Sequence, residues 1–391
     1  MRAAGSARAV TARRAWTMRP GEAPLDDAAL VVRGRRILEV GPRRQVLAGF
    51  SGPVDDLGPV CLVPGLINAH VHLELSHLRG LAPVGQGFAA WVAWLIGQPL
   101  TALSTVILDA AVAEAAATGT GTLVDIGSRA GPAVVRALEA AGLASLVCHE
   151  YFGFRSLPAG EVPPTLETAA RAMRLGRVTA SGHALYSTSP ANLTRARQIC
   201  RRRGTPYCLH LAEHQGEAEL LATGGGAFAA LLRRRVLPRD FVPPGCSPVA
   251  YARDLRLLGP ETLAVHAVWL TEEDRTILAR TGTTVCLCPR SNRRIGVGLA
   301  DAPALVAAGV PLCLGTDSLA SNDDLNLWNE VRALWADHPD FPPAAVLPAL
   351  TTTPARLLGR SGELGILAPQ AVGGYAVMPS DLEERLDRRH A

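Results

Sequence analysis

The sequence predicts an α/β protein: a (β/α)8 TIM barrel carrying a small β-sandwich domain built from the N- and C-terminal segments. Three observations carry this. Between residues 61 and 358, eight short apolar runs alternate with longer helical stretches rich in Ala, Leu and Arg. Eight βα units in succession favour a closed parallel barrel over an open sheet. The segments outside that span read instead as short strands.

In chain order, residues 7–18 and 28–40 are the first expected strands, the second broken by a turn at Gly34. The eight barrel strands are expected at 62–68, 121–126, 145–152, 178–186, 206–211, 262–268, 284–288 and 310–314. Helix starts are legible between them, as at Ser189 before Pro190 and at Thr271 with Asp274 three residues on. Residues 362–378 read as a closing strand pair. The expected division is therefore 1–60 and 359–391 for the small domain, and 61–358 for the barrel.

Composition narrows the function. Hydrophobic residues make up 48% of the 391, enough for a large core. A net charge of +4, scattered along the chain, gives no nucleic-acid surface. All 39 basic residues are arginine, so a lysine Schiff base, a Walker-type lysine and a carbamylated-lysine metal bridge are all excluded. No apolar run is long enough for a membrane span, and the first 18 residues lack a secretory core, so the expectation is a cytoplasmic enzyme. The eight cysteines are expected reduced, with Cys286 and Cys288 alternating within a strand rather than forming a metal pair. A homodimer stays open.

Catalytic groups of such barrels gather where strands end. His70 and His72 close the first strand as His-x-His, whose period of two aims both rings to one side. His210 ends the fifth, His266 the sixth, and Asp317 follows the eighth. Three imidazoles and a carboxylate suit one divalent ion, Zn2+ or Fe2+, and leave a position for water, whose pKa a metal lowers from about 15.7 towards about 7. Glu213, three residues beyond His210, is placed to act as a general acid/base.

Ile67-Asn68-Ala69-His70-Val71-His72, His210-Leu211-Ala212-Glu213, His266 and Gly315-Thr316-Asp317-Ser318 together resemble the amidohydrolase superfamily, in its cytosine-deaminase-like mononuclear branch. The resemblance implies that His70, His72, His210 and Asp317 bind the metal, that His266 polarises the bound water and that Glu213 shuttles protons. Further segments are similar to the aminodeoxyfutalosine deaminases of menaquinone biosynthesis: His72-Leu73-Glu74-Leu75-Ser76, residues 88–91, Cys288-Pro289-Arg290-Ser291-Asn292 and residues 314–322. His183-Ala184-Leu185-Tyr186-Ser187 resembles the substrate-facing segment of adenosine-type and S-adenosylhomocysteine-type deaminases. The implied reaction is hydrolytic deamination of a 6-aminopurine nucleoside derivative, a small-molecule substrate, with aminodeoxyfutalosine foremost. S-adenosylhomocysteine, methylthioadenosine, guanine-type and cytosine-type rings are alternatives, as is hydrolysis of a cyclic amide or ring chloride. A barrel kept only as a binding module is the non-enzymatic rival. Glu74, Arg155 and His183 are the expected substrate contacts, with Arg155 meeting a carboxylate.

Overall fold

The computed structural model describes residues 6–156 and 160–387. The N-terminal strands are β1 (Arg8–Ala15), β2 (Leu25–Arg33), β3 (Arg36–Pro42), β4 (Val54–Asp56) and β5 (Cys61–Pro64). The barrel strands are β6 (Leu66–Val71), β7 (Thr120–Gly127), β8 (Ala144–Tyr151), β9 (Gly176–Gly182), β10 (Tyr207–Leu211), β11 (Thr262–His266), β12 (Thr284–Leu287) and β13 (Leu312–Leu314). A last strand, β14 (Tyr375–Met378), returns to the small domain.

The small domain is one hydrogen-bonded sheet in the order β14-β5-β1-β2-β3, with β4 also beside β1. The expected sandwich takes this form because β1 pairs with β2 along one edge, and with β4 and then β5 along the other. One face packs Val10, Leu30, Ile37 and Leu62 together, while the other packs Ala9, Ala29 and Val31 against Val46 of the helix Arg43–Ala48. Both faces are covered. The C-terminal segment completes the sheet, since β14 runs antiparallel to β5. Within 362–378, where the sequence predicts a strand pair, β14 is the one strand, and a helix, Ser380–Asp387, follows it.

The barrel consists of two parallel arcs, β6-β7-β8-β9 and β10-β11-β12-β13. A bridge from Ala184 to His210 joins them on one side. On the other, the Asp317 amide donates to the His70 carbonyl at 3.0 Å. All the barrel strands are largely buried on both faces, which explains their continuous apolar runs. Ile67, Val124, Ile126, Cys148, Cys208, Val265, Cys286 and Cys313 fill one core cluster. The buried cysteines are all free and pack as small hydrophobes.

The sequence run expected as one strand at 62–68 is two. It breaks at Gly65, where a Cβ would stand 2.0 Å from the Gly373 carbonyl oxygen, and a Cβ at Gly121 would meet the same atom. The small sheet and the barrel floor meet too closely there for any side chain. No helix among the described residues is long and apolar enough to cross a membrane.

Candidate metal and active site

Register decides which way the first two histidines point. Pairing of β6 with β7 slips between Asn68 and Val71, so inward parity passes from Ile67 and Ala69 to His70 and His72. His210 comes from β10, His266 from the last position of β11, and Asp317 from the turn after β13. Ala212, His266 and Asp317 hold positive φ of 52°, 76° and 55°. Such strain at non-glycine residues persists where the surroundings over-determine the backbone.

These side chains converge. The ligand atoms of His70, His72 and Asp317 lie within 4.8 Å of one another, as do those of His70, His210 and His266. His72 Nε2 is 3.3 Å from His210 Nε2. Asp317 Oδ1 stands 3.7 Å from Nε2 of His70 and of His72.

The surroundings set each group's charge. Burial lowers His70 to about 4, and lowers His210 well below the usual imidazole value. Both rings are therefore neutral near pH 7, with a lone pair free. Burial works to raise Asp317, but the imidazoles of His70, His72 and His266 around it hold it well below the carboxylate range. Its Oδ2 accepts from Ser291 Oγ at 2.6 Å and Ser321 Oγ at 3.1 Å, and its Oδ1 from the Ser318 amide at 2.7 Å. His210 Nδ1 faces the His183 carbonyl at 3.0 Å, which directs Nε2 inward.

Both ring nitrogens of fully buried His70 lack a hydrogen-bond partner. An orphaned buried nitrogen is costly unless something binds it. Three imidazoles, those of His70 and His210 neutral, and one anionic carboxylate fit a divalent cation such as zinc or ferrous iron.

Glu213 lies two residues beyond β10, buried, with Oε1 3.6 Å from His266 Nε2. Burial raises its carboxyl well above the usual range, helped by Asp317 and Glu217. His266 Nδ1 meets Asn292 Oδ1 at 2.8 Å, fixing the ring.

A cavity of about 460 Å3 opens from this cluster. His72, His210, Glu213, His266 and Asp317 line its floor, and Phe88, Trp91, Leu95, Phe152, Phe228 and Leu231 line its outer wall. Glu74 and His183 also line it. Glu74 is held from behind, its carboxylate accepting from the amides of Ser128, Arg129 and Ala130 at 3.1, 2.8 and 3.1 Å. His183 Nδ1 meets Ser187 Oγ at 2.5 Å.

Arg155 is not brought into this cavity. Its segment is tied outward by the bridge from Gly153 to Thr188, its carbonyl accepts from Asn192 Nδ2 at 2.9 Å, and its side chain is exposed. Two other arginines, Arg129 and Arg235, line the cavity. Neither lies within ion-pair distance of a carboxylate among the described residues. Sequence reasoning also missed Glu150, which lines the cavity with Oε1 3.8 Å from His210 Nδ1 and unpartnered. The rule that found the histidines, a polar residue at the end of an apolar strand run, would have found it too.

The sequence pattern of the Amidohydrolase family matches residues 61–373. The chain is 32% identical over 321 residues to a 5-methylthioadenosine/S-adenosylhomocysteine deaminase of Nitratidesulfovibrio vulgaris strain DP4, covering 79% of this chain and 68% of the relative. It is 28% identical over 351 residues to an aminodeoxyfutalosine deaminase of Deinococcus radiodurans, covering 84% and 81%. Its fold is similar to a zinc-bound adenosine deaminase from Xanthomonas campestris, with TM-score 0.76, 25% identity, and 94% and 83% of the two chains covered.

Proposed function

The chain belongs to the amidohydrolase family, and from that premise we propose that it is a metal-dependent deaminase of 6-aminopurine nucleosides bearing a large 5′ substituent. One observation carries the reading: His70, His72, His210 and anionic Asp317 converge at the floor of a cavity whose outer wall is apolar and aromatic. The named activities of the similar deaminases support it.

His70, His72, His210 and Asp317 would hold one divalent ion, zinc foremost because the similar Xanthomonas structure carries it. When bound, such an ion supplies Lewis acidity that makes water nucleophilic at neutral pH. The remaining work falls to side chains. Glu213 takes a proton from the attacking water and delivers it to the ring nitrogen beside the amino-bearing carbon. His266, its Nδ1 engaged by Asn292, keeps Nε2 towards Glu213 and stabilises charge developing on the incoming oxygen. Asp317, steadied by Ser291, Ser318 and Ser321, keeps its negative charge on the same side. The second water proton passes to the amino group, which leaves as ammonia, and the ring carbon keeps the water oxygen. His183 offers a hydrogen bond to the purine, and Glu74, fixed by three amides, a hydrogen bond to the ribose hydroxyls.

Aminodeoxyfutalosine and S-adenosylhomocysteine both join a purine nucleoside to a 5′ group that ends in a carboxylate. In this structure Arg129 and Arg235 are the guanidinium groups lining the cavity, and they take the carboxylate role first expected of Arg155. The test is ammonia release from aminodeoxyfutalosine, S-adenosylhomocysteine, methylthioadenosine and adenosine. Arg235→Ala is expected to raise KM for the two carboxylates much more than for methylthioadenosine, and Arg155→Ala to leave all four unchanged. Equal losses on every substrate would remove the carboxylate reading. Chloride or an opened ring as product, with no ammonia from any nucleoside, would remove the deaminase reading.

A further inference from the structure

The hairpin of β2 and β3 turns through Arg33-Gly34-Arg35-Arg36, with Gly34 at φ 59° in the left-handed region. Arg33 and Arg36 form its closing cross-strand pair. Like charges directly opposite each other repel.

Other arginines of this small domain are matched with acids. Arg8 pairs with Asp55, Arg13 with Glu383, Arg14 with Asp26 and Asp387, and Arg43 with Asp27 and Asp56. At the hairpin tip no carboxylate lies within ion-pair distance of Arg33, Arg35 or Arg36 among the described residues. Arg36 donates to Gln370 Oε1 at 2.8 Å, and Arg35 reaches the Thr120 carbonyl at 3.5 Å.

Arg35 projects into the seam between the small sheet and the floor of the barrel. It lines two cavities there, of about 510 and about 390 Å3. The smaller is walled by Arg33, Arg35, Arg36 and Arg174, with Glu139 as its one acid. Glu139 is already engaged, accepting from the Arg174 amide at 3.1 Å and pairing with its guanidinium at 3.4 Å. Burial pushes the Arg35 guanidinium below its ordinary value. A desolvated cation without a counter-charge is costly, so the pocket is electrostatically incomplete.

We propose that this smaller cavity is a second binding site, taking a phosphate group, with Arg35 at its base and Arg33, Arg36 and Arg174 around it. The wall carries three more positive than negative charges, which a carboxylate monoanion would leave largely uncompensated. A phosphate brings more charge and several acceptor oxygens that match guanidinium forks. Residues 142–143 and 174–175 precede β8 and β9. The pocket therefore lies at the N-terminal end of the barrel strands, away from the catalytic floor. The rival is purely structural: the arginines hold the hairpin against the barrel, as Arg35 does at Thr120.

Calorimetry on the whole enzyme separates the two, in phosphate-free buffer at constant ionic strength set with chloride. Inorganic phosphate and ribose 5-phosphate are the probes, so that free and esterified phosphate are distinguished. Saturable binding of either, with one site per chain and a rise in Tm, is expected. Arg33→Ala and Arg174→Ala, both exposed and so safe for folding, should each weaken it about tenfold, and Arg35→Gln should abolish it. Arg155→Ala, distant from the seam, should change nothing. The proposal is overturned if neither probe binds saturably, or if Arg33→Ala and Arg174→Ala bind as the parent does. A lower Tm in Arg35→Gln without any phosphate effect in the parent would return the cluster to the scaffold.

Discussion

At His70, burial and an empty hydrogen-bond inventory act together, so removing any member of its group should be felt in metal content before it is felt in the fold. His210→Ala is expected to lose the ion and the activity, because its Nε2 faces that of His72 at 3.3 Å. His266→Ala is expected to keep most of the ion and lose most of the rate, its Nδ1 being engaged by Asn292 and its Nε2 directed at Glu213. Elemental analysis after dialysis, beside an ammonia assay, reads both. Equal metal loss in the two variants would make His266 a ligand. Glu213→Gln belongs to the same experiment: it should retain metal and lose about 10²- to 10⁴-fold in rate, the usual worth of a positioned proton-transfer group. A parent-like rate would leave Glu213 as a buried structural carboxyl.

Single elements carry two expectations of a different kind. The junction of β5 and β6 depends on Gly65, whose added Cβ would lie 2.0 Å from a backbone oxygen. Gly65→Ala is expected to destabilise by about 1–3 kcal/mol or more, as overpacking does, read as a fall in Tm, and an unchanged Tm would mean that the seam is looser than its geometry. The helix Gln215–Thr223 buries Glu217, whose Oε2 accepts from the Glu213 amide at 3.0 Å. Burial raises Glu217 from 4.5 to about 8, against two backbone hydrogen bonds that lower it. A carboxyl whose folded value lies above its unfolded value binds more protons when folded, so it weakens the fold progressively as pH climbs from the unfolded value to the folded one. Glu217→Gln, which cannot ionise, should therefore match the parent near pH 4.5 and exceed its Tm by a margin that widens up to about pH 8. A margin independent of pH would show that Glu217 stays unperturbed.

Across the molecule, an ion held as proposed would tie together strands far apart in sequence, since His70 lies on the first barrel strand and Asp317 follows the last. Chelation should lower Tm, the stability lost being on the order of the 2.7 kcal/mol that a ligand at a hundred times its Kd contributes. The loss should vanish in His210→Ala, and a chelator effect of equal size there would point to metal elsewhere. Barrel periodicity, the His-x-His spacing, the positions of His210, His266 and Asp317, and Glu213 were all legible from local pattern, because strand period and strand ends are properties of short segments. Other features depend on contacts between residues remote in the chain. The slip between Asn68 and Val71 that aims both first histidines inward, the break at Gly65, the outward turn of Arg155 and the arrival of Arg129 and Arg235 in the cavity have no local signature. A strand's residues show which positions are apolar, but the register against its neighbour settles which side chains share a cavity, and that register exists only once the sheet has closed.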